Sequence, residues 1–329
     1  MLIKQVILKK RPEAVPSADN FEVITREMPQ VHYGEILCRN LFLSLDPYMR
    51  SQIAGRHISG TINVGDVLQG ETVCEVIKSK NDDYAIGDKL LLQGGWQTHC
   101  VLSPKGARKL DSCIEPASLV LGILGMPGLT AYAGLKYLAE PKAGDTIVVS
   151  AASGAVGSVV GQYAKLLGCR VIGIAGAEHK SAWLTDVAKF DACINYKQES
   201  VADGLDRLCP NGVDIYFDNV GGETLDAVMW RLALGARVVL CGLMSQLNSL
   251  ERPAGPNPAT IIKARATVRG LVVYDHWSKM DEMLNLFIPM IASGHIKYCE
   301  DISEGIEQAP AAFERLMTGQ NFGKTIIKL

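Results

Sequence analysis

Up to Gly125 the chain is written in short apolar runs that alternate with polar positions and are broken by Gly and Pro. Glu35-Ile-Leu-Cys-Arg39 and Gly70-Glu-Thr-Val-Cys-Glu-Val-Ile-Lys78 are typical. A period of two bounded by turn residues predicts β-hairpins and loops, not long helices. From Gly125 onward the pattern lengthens. Helical spacing over 129–139, 155–167, 178–188, 198–208 and 222–232 alternates with β-branched runs over 146–150, 169–174, 192–195, 213–217 and 237–241. That alternation predicts a doubly wound parallel sheet. A helix over 277–293 follows, and the tail 298–329 holds a short helix and a last strand, Lys324-Thr-Ile-Ile-Lys-Leu329. A closing strand of this kind can return to the first region, making the α/β region an insertion. The run Glu251-Arg-Pro-Ala-Gly-Pro-Asn-Pro258 excludes helix and central strand. It follows the fifth predicted strand, where such folds bind ligands, so it reads as a loop over a site or subunit contact, or as plain surface.

A length of 329 residues accommodates two ordinary domains, and 48% hydrophobic with 21% charged residues describes a globular chain with large cores. The net charge of −2 gives no electrostatic case for nucleic acid or an anionic membrane surface. Nine cysteines without a Cys-x-x-Cys pair read as buried thiols in a reducing compartment. Met1-Leu-Ile-Lys-Gln5 lacks a signal peptide's apolar region, and no apolar stretch reaches membrane-spanning length. A cytoplasmic location is expected.

Candidate chemistry concentrates in Thr146–Lys165. The β-branched run Thr146–Ser150 stops at small residues and passes into a helical pattern through Ala152-x-Gly154-x-x-Gly157. This is a dinucleotide fingerprint with Ala for the first Gly, in the strand–turn–helix context it requires. Gly154 lets backbone approach a pyrophosphate, Gly157 lets the helix pack on the strand, and the helix N-terminus offers N–H groups and a positive dipole end. The next strand ends in Ala175-Gly176-Ala177, without the acid that would hold the ribose hydroxyls of NAD. Glu178 arrives late and Lys180 follows, which suits the 2′-phosphate of NADP. Lys180 also reads as a solvated residue in the first turn of a surface helix.

Five further segments extend the picture over nearly the whole chain: Asp46-Pro-Tyr-Met-Arg50, Gly125-Met-Pro-Gly-Leu-Thr-Ala-Tyr132, Ala151–Gly161, Phe217-Asp-Asn-Val-Gly-Gly222 and Asn321-Phe-Gly-Lys-Thr325. Together they resemble the zinc-independent medium-chain dehydrogenase/reductases, within them the NADPH-dependent alkenal and enone double-bond reductases. That resemblance implies an α/β protein with a GroES-like β-rich catalytic domain (1–124 plus 297–329) and an inserted Rossmann NADP-binding domain (125–296). It also implies a homodimer and a small conjugated carbonyl substrate. Zinc relatives usually carry Gly-His-Glu where this chain reads Gly70-Glu71-Thr72, and no close cysteine cluster offers a structural site. No metal is expected. Without that Lewis acid the chain suits a bond already activated by conjugation.

Hydride addition to the β carbon builds charge on the carbonyl oxygen, which calls for a hydrogen-bond donor. Tyr274, in Gly270-Leu-Val-Val-Tyr-Asp275, matches a family tyrosine implied at the substrate carbonyl, and Tyr48 matches a segment lining the substrate cleft. Taken without the family, each is an ordinary half-buried aromatic. For the cofactor the resemblance transfers Gly154, Val156 and Gly157 to the pyrophosphate turn and Lys180 to the 2′-phosphate. By the same resemblance Tyr196 falls on the adenosine side, Asn219 at a strand end facing the cofactor, Cys241-Gly242 near the nicotinamide and Asn321 beside the nicotinamide or pyrophosphate; Met126 and Thr130 belong to the same pocket, though Thr130 reads equally as a helix residue without ligand contact. Cys241 has no predicted partner that would make it a nucleophile. One departure stands out: Ser245-Gln-Leu247-Asn248 has Leu where many relatives have Tyr. The competing readings are an NADPH:quinone oxidoreductase and a non-catalytic NADPH-binding protein.

Overall fold

Both ends of the chain belong to one unit, Met1–Leu121 with Glu300–Leu329, while Gly122–Cys299 forms a second. The computed structural model describes residues 2–111, 114–249 and 254–329. Residues 251–253 of the Pro/Gly-rich run and Cys113 lie outside the described residues.

The first unit opens with a two-stranded ribbon, β1 (Leu2–Leu8) against β2 (Phe21–Glu27). β3 (Ile36–Ser44), β4 (Thr72–Ser79), β5 (Lys89–Leu92), β6 (His99–Leu102) and the short β7 (Arg108–Lys109) are the predicted hairpin elements, all paired antiparallel. A single helical turn, α1 (Met49–Ile53), follows Asp46-Pro47-Tyr48.

In the second unit the strands are β8 (Thr146–Val149), β9 (Arg170–Ala175), β10 (Ala192–Asn195), β11 (Val213–Asp218), β12 (Leu232–Leu240) and β13 (Thr267–Gly270). Their spatial order is β10-β9-β8-β11-β12-β13, all parallel, so the predicted doubly wound sheet is present. Strands this buried need helices on both faces. These are α2 (Met126–Ala133, continued by a π turn to Ala139), α3 (Gly157–Leu166), α4 (Glu178–Asp186), α5 (Val201–Leu208), α6 (Gly222–Met229), α7 (Ala259–Ala264) and α8 (Met280–Ala292). Several expectations need adjusting: β12 starts at Leu232 instead of 237, and α7 was not predicted. α2 begins at Met126, three residues before the predicted 129, because Pro127 occupies its first turn, where a missing N–H costs nothing. The helix expected over 277–293 starts as a 3-10 turn (Val273–Lys279) before α8. The sixth strand, β13, was not predicted.

The chain then returns to the first unit through β14 (Glu300–Glu304), α9 (Ala309–Met317) and β15 (Lys324–Lys328), the predicted closing strand. β15 lies between β14 and β3, giving the order β14-β15-β3-β4-β5-β7 with β6 on β3. Fully buried Trp96 anchors this core, stacked on Phe21 and edge-on to Phe313. None of the described cysteines is in a disulfide, and among the described residues no helix is long and apolar enough to cross a membrane.

Candidate functional site

In the second unit the fingerprint residues collect at the C-terminal edge of the parallel sheet. The chain winds outward in both directions from β8, so the crevice of a doubly wound sheet opens between β8 and β11. After β8, Ala151 adopts φ +47, a left-handed conformation costing a non-glycine residue about 1–2 kcal/mol. The turn is held by Ala152 N–H on the Ile174 carbonyl (3.0 Å) and Gly154 N–H on the Ala151 carbonyl (2.9 Å). A Cβ on Gly157 would sit 2.4 Å from the Ala151 oxygen and 2.9 Å from Ala152 Cα, so only Gly admits this approach of helix to strand. Gly154 is looser: a Cβ there meets only the Ala151 oxygen at 3.2 Å. Val156 is the N-cap of α3 and offers no side-chain cap; in the first turn Ser158 N–H bonds the Gly154 carbonyl (3.1 Å) and Val159 N–H the Val156 carbonyl (3.1 Å).

At the end of β9, a Cβ on Gly176 would fall 2.6 Å from the Tyr196 ring, so that ring lies directly over the strand end. Lys180, in the first turn of α4, is buried at 7% exposure, which removes the reading of a solvated surface lysine. Tyr196 itself is half exposed. These two residues and Gly176 lie together beyond the C-terminal end of β9.

Across the crevice, β8 and β11 are joined by a network that the sequence did not reveal. Asp218 is completely buried; one carboxylate oxygen accepts from Ser150 Oγ (3.0 Å), Tyr216 Oη (2.7 Å) and Val220 N–H (3.0 Å), and Gly221 N–H bonds both oxygens. Ser150 Oγ in turn accepts from Asn219 N–H, and the Asn219 side-chain amide donates to the Ser150 carbonyl, both at 2.8 Å. Asn219 is thus fixed at the strand end by protein contacts. Cys241 and Gly242 donate their N–H groups to the Asp218 carbonyl, at 2.8 and 3.1 Å. A Cβ on Gly242 would press on the Asn219 carbonyl at 3.1 Å. Burial, reinforced by Asp218, pushes the Cys241 thiol up to about 12, the opposite of what a nucleophile needs.

The same edge continues to Tyr274. Leu271 N–H bonds the Leu240 carbonyl (2.9 Å), carrying the chain from β13 past the end of β12 into the 3-10 turn. That turn packs on α2, which bears Met126 and Thr130. Thr130 Oγ1 donates back to the Met126 carbonyl (2.8 Å), and the Tyr274 ring is 43% exposed. Beneath them Glu282 of α8 accepts from Tyr132 (2.6 Å), Tyr137 (2.9 Å) and Lys136, and the Lys136 contact above all holds its carboxyl down at about 2. Leu247 is half-buried just after a 3-10 turn and brings no polar group.

The first unit carries the other two candidates. Tyr48 precedes α1 and its ring faces that of His57, centroids 5.1 Å apart. Asn321 leads into β15, its side-chain amide donating to the Gly323 carbonyl (3.0 Å). Between these segments Asp46 and Lys324 form a buried ion pair at 2.5 Å. Glu71, in the tripeptide that replaces Gly-His-Glu, is also buried, and its carboxyl is pushed up to about 7 by burial and by Asp46. Among the described residues no three His, Cys, Asp or Glu side chains are grouped as a metal site.

Residues 4–110 match the family described as the N-terminal domain of oxidoreductase, and residues 155–288 match zinc-binding dehydrogenase. Over 98% of its length the chain is 39% identical to the NADPH-dependent curcumin reductase of Escherichia coli (96% of that protein). It is 42% identical to prostaglandin reductase 1 of Rattus norvegicus, covering 98% of this chain and 97% of the other. Identity to the NADP(+)-dependent 2-alkenal reductase of Nicotiana tabacum is 38%, covering 98% and 96%. The solved structure of CurA from Vibrio vulnificus in complex with NADPH superposes with a TM-score of 0.94 at 40% identity, covering 99% and 98% of the two chains. An Escherichia coli quinone oxidoreductase complexed with NADPH, 21% identical with a TM-score of 0.79 over 99% of this chain and all of that one, shares the fold.

Proposed function

The chain belongs to the medium-chain dehydrogenase/reductase family, among its NADPH-dependent enone reductases, and from that premise we propose that it reduces the C=C bond of α,β-unsaturated aldehydes or ketones. The observation that carries the cofactor half is the pairing of the tight Gly157 turn with buried Lys180 at a strand end that lacks an acid. These residues fit a dinucleotide bearing an extra phosphate. Gly154 keeps the turn open for a close approach of the pyrophosphate, the backbone N–H groups of Val156 and Gly157 are assigned to it, Lys180 pairs the 2′-phosphate, and Tyr196 covers the adenosine. Asn219, Cys241, Gly242, Met126, Thr130 and Asn321 are assigned to the remaining length of the cofactor.

Bound NADPH would supply hydride to the substrate's β carbon, and a proton from a side chain or water would complete the addition at the α carbon. The chain's own task is to orient the acceptor and hold charge on the carbonyl oxygen. Tyr274, whose ring stands partly clear of the protein, is assigned that hydrogen bond: its O–H meets the developing enolate. Tyr48 is assigned to the substrate wall. A carboxyl at Glu71 in place of an imidazole supports a zinc-independent reaction, in which conjugation does the work of the Lewis acid. The catalytic domain is taken as 1–124 plus 297–329 and the cofactor domain as 125–296, in a cytoplasmic homodimer.

The test follows NADPH absorbance with a panel of 2-alkenals, cyclic enones, bulky dienones and quinones, with NADH in parallel and product mass as the second readout. Expected is NADPH-driven gain of two hydrogens across the conjugated C=C, and a loss of kcat of about a hundredfold or more in Tyr274→Phe. Turnover confined to quinones would make the protein an NADPH:quinone oxidoreductase, and tight binding without turnover would make it a non-catalytic NADPH-binding protein.

A further inference from the structure

Side chains from α2, the π turn after it and the 3-10 turn gather on Glu282, in the first turn of α8. Its carboxylate accepts from Tyr132 Oη of α2 (2.6 Å) and, in the π turn, from Tyr137 Oη (2.9 Å) and Lys136. Lys279, the last residue of the 3-10 turn, brings its Nζ to 3.7 Å from the same carboxylate. The two phenols reach one carboxylate because the helix changes pitch between them. Five residues make about 1.4 turns of an α-helix, which would set Tyr132 and Tyr137 on different sides. The π turn Gly134–Ala139, closed by Glu140 N–H on the Leu135 carbonyl (2.8 Å), aligns residues five apart, and the two rings stand edge-on with centroids 6.1 Å apart. Tyr137 is half-buried, and its ring meets the 3-10 turn at two side chains. His276 lies parallel to it, with 4° between the planes and 5.8 Å between centroids, and Lys279 Nζ is 5.5 Å from the ring centroid. Tyr274 stands two residues before His276 in that turn. Among the described residues its own side chain has no hydrogen-bond or ring partner, so the backbone of the turn sets its place.

We propose that Tyr137 is a positioning residue for the reduction: its hydroxyl ties the ring to α8, and the ring, through His276 and Lys279, fixes the turn from which Tyr274 meets the carbonyl oxygen. This role rests on the functional reading of Tyr274, whereas the hold on the turn rests on the ring geometry alone.

The experiment measures enone turnover and NADPH affinity in the wild type, Tyr137→Phe, Tyr137→Leu and His276→Ala, each alone and combined with Tyr274→Phe. Tyr137→Leu and His276→Ala remove the stack from opposite sides and are expected to lower kcat by about tenfold, since a misplacement of about 1 Å at a reacting centre costs up to a hundredfold. NADPH affinity stays within about twofold of the wild type in both. Tyr137→Phe keeps the ring over the turn and holds kcat within about threefold. In the Tyr274→Phe background neither substitution lowers kcat further, because residues that act through one side chain are not additive; a general loss of stability would not give that pattern. His276 is a half-buried turn residue, so its variant carries the test should Tyr137→Leu fail to fold. A 3-fluorotyrosine label reads the turn without turnover: the Tyr274 resonance, identified by its loss in Tyr274→Phe, moves in Tyr137→Leu and returns toward its wild-type place in Tyr137→Phe. Wild-type kcat in His276→Ala, a further tenfold loss in the Tyr274→Phe background, or a Tyr274 resonance unmoved in Tyr137→Leu overturns the proposal. Undiminished turnover in Tyr274→Phe, with the resonance still displaced in Tyr137→Leu, would instead sink the functional reading of Tyr274 and leave the hold on the turn standing.

Discussion

Gly154 and Gly157 lie three residues apart in one turn, yet the structure leaves very different room at each. A methyl on Gly157 meets two backbone atoms, the Ala151 oxygen at 2.4 Å and Ala152 Cα at 2.9 Å. Neither can swing aside, so Gly157→Ala must push α3 off the end of β8. Overpacking of this kind costs about 1–3 kcal/mol. At roughly 2–4 °C per kcal/mol for a unit of this size, the melting temperature falls by about 2–12 °C. A methyl on Gly154 meets one oxygen at 3.2 Å and needs a shift of a few tenths of an ångström. Gly154→Ala therefore costs the apo protein less than about 1 kcal/mol. On the proposed reading its methyl would instead occupy the approach to the pyrophosphate and weaken NADPH by about tenfold or more. Thermal melts without cofactor read the first effect, and a fluorescence titration with NADPH reads the second. A Gly154→Ala protein that melts lower than Gly157→Ala, or one that binds NADPH like the wild type, would refute the division of roles.

Two other consequences are open to measurement. Lys180→Ala is expected to weaken NADPH by about 1.5–3 kcal/mol, roughly tenfold to a hundredfold, while NADH binding barely changes; equal losses in the two titrations would remove Lys180 from the 2′-phosphate. For Glu282 the sign follows from a carboxyl held below its ordinary 4.5, chiefly by Lys136. Its contribution to stability is complete above about pH 4.5 and fades as the pH falls toward about 2, so the melting-temperature gap between wild type and Glu282→Gln should close over that range. A gap that stays constant through the acid range would contradict this.

The sheet was legible because its strands are β-branched runs separated by helices of ordinary length, and Gly154 and Gly157 because strand, turn and helix adjoin in sequence. β13 escaped because it is four residues long, mostly exposed and on the sheet edge, so neither periodicity nor burial marks it. The burial of Lys180 had no sequence signal: a lysine in the first turn of a helix reads alike whether solvated or enclosed. Ser150 and Asp218 were invisible as partners for a different reason. They stand 68 residues apart and meet only because the sheet places β11 beside β8. Asp46 and Lys324 converge in the same way, because β15 pairs with β3.

β15 lies inside its sheet, between β14 and β3, although it is the last strand along the chain. Ser44, at the end of β3, therefore waits for Ile326 through some 280 residues of synthesis. At ~5–20 residues per second that is roughly a quarter of a minute to a minute. The Asp46–Lys324 pair cannot form sooner, whereas Gly122–Cys299 is contiguous and emerges whole in the interval. Translation order thus makes the parallel sheet of the second unit the first of the two to have all its strands, and the unit carrying Tyr48 remains open at β3 until the last strand arrives.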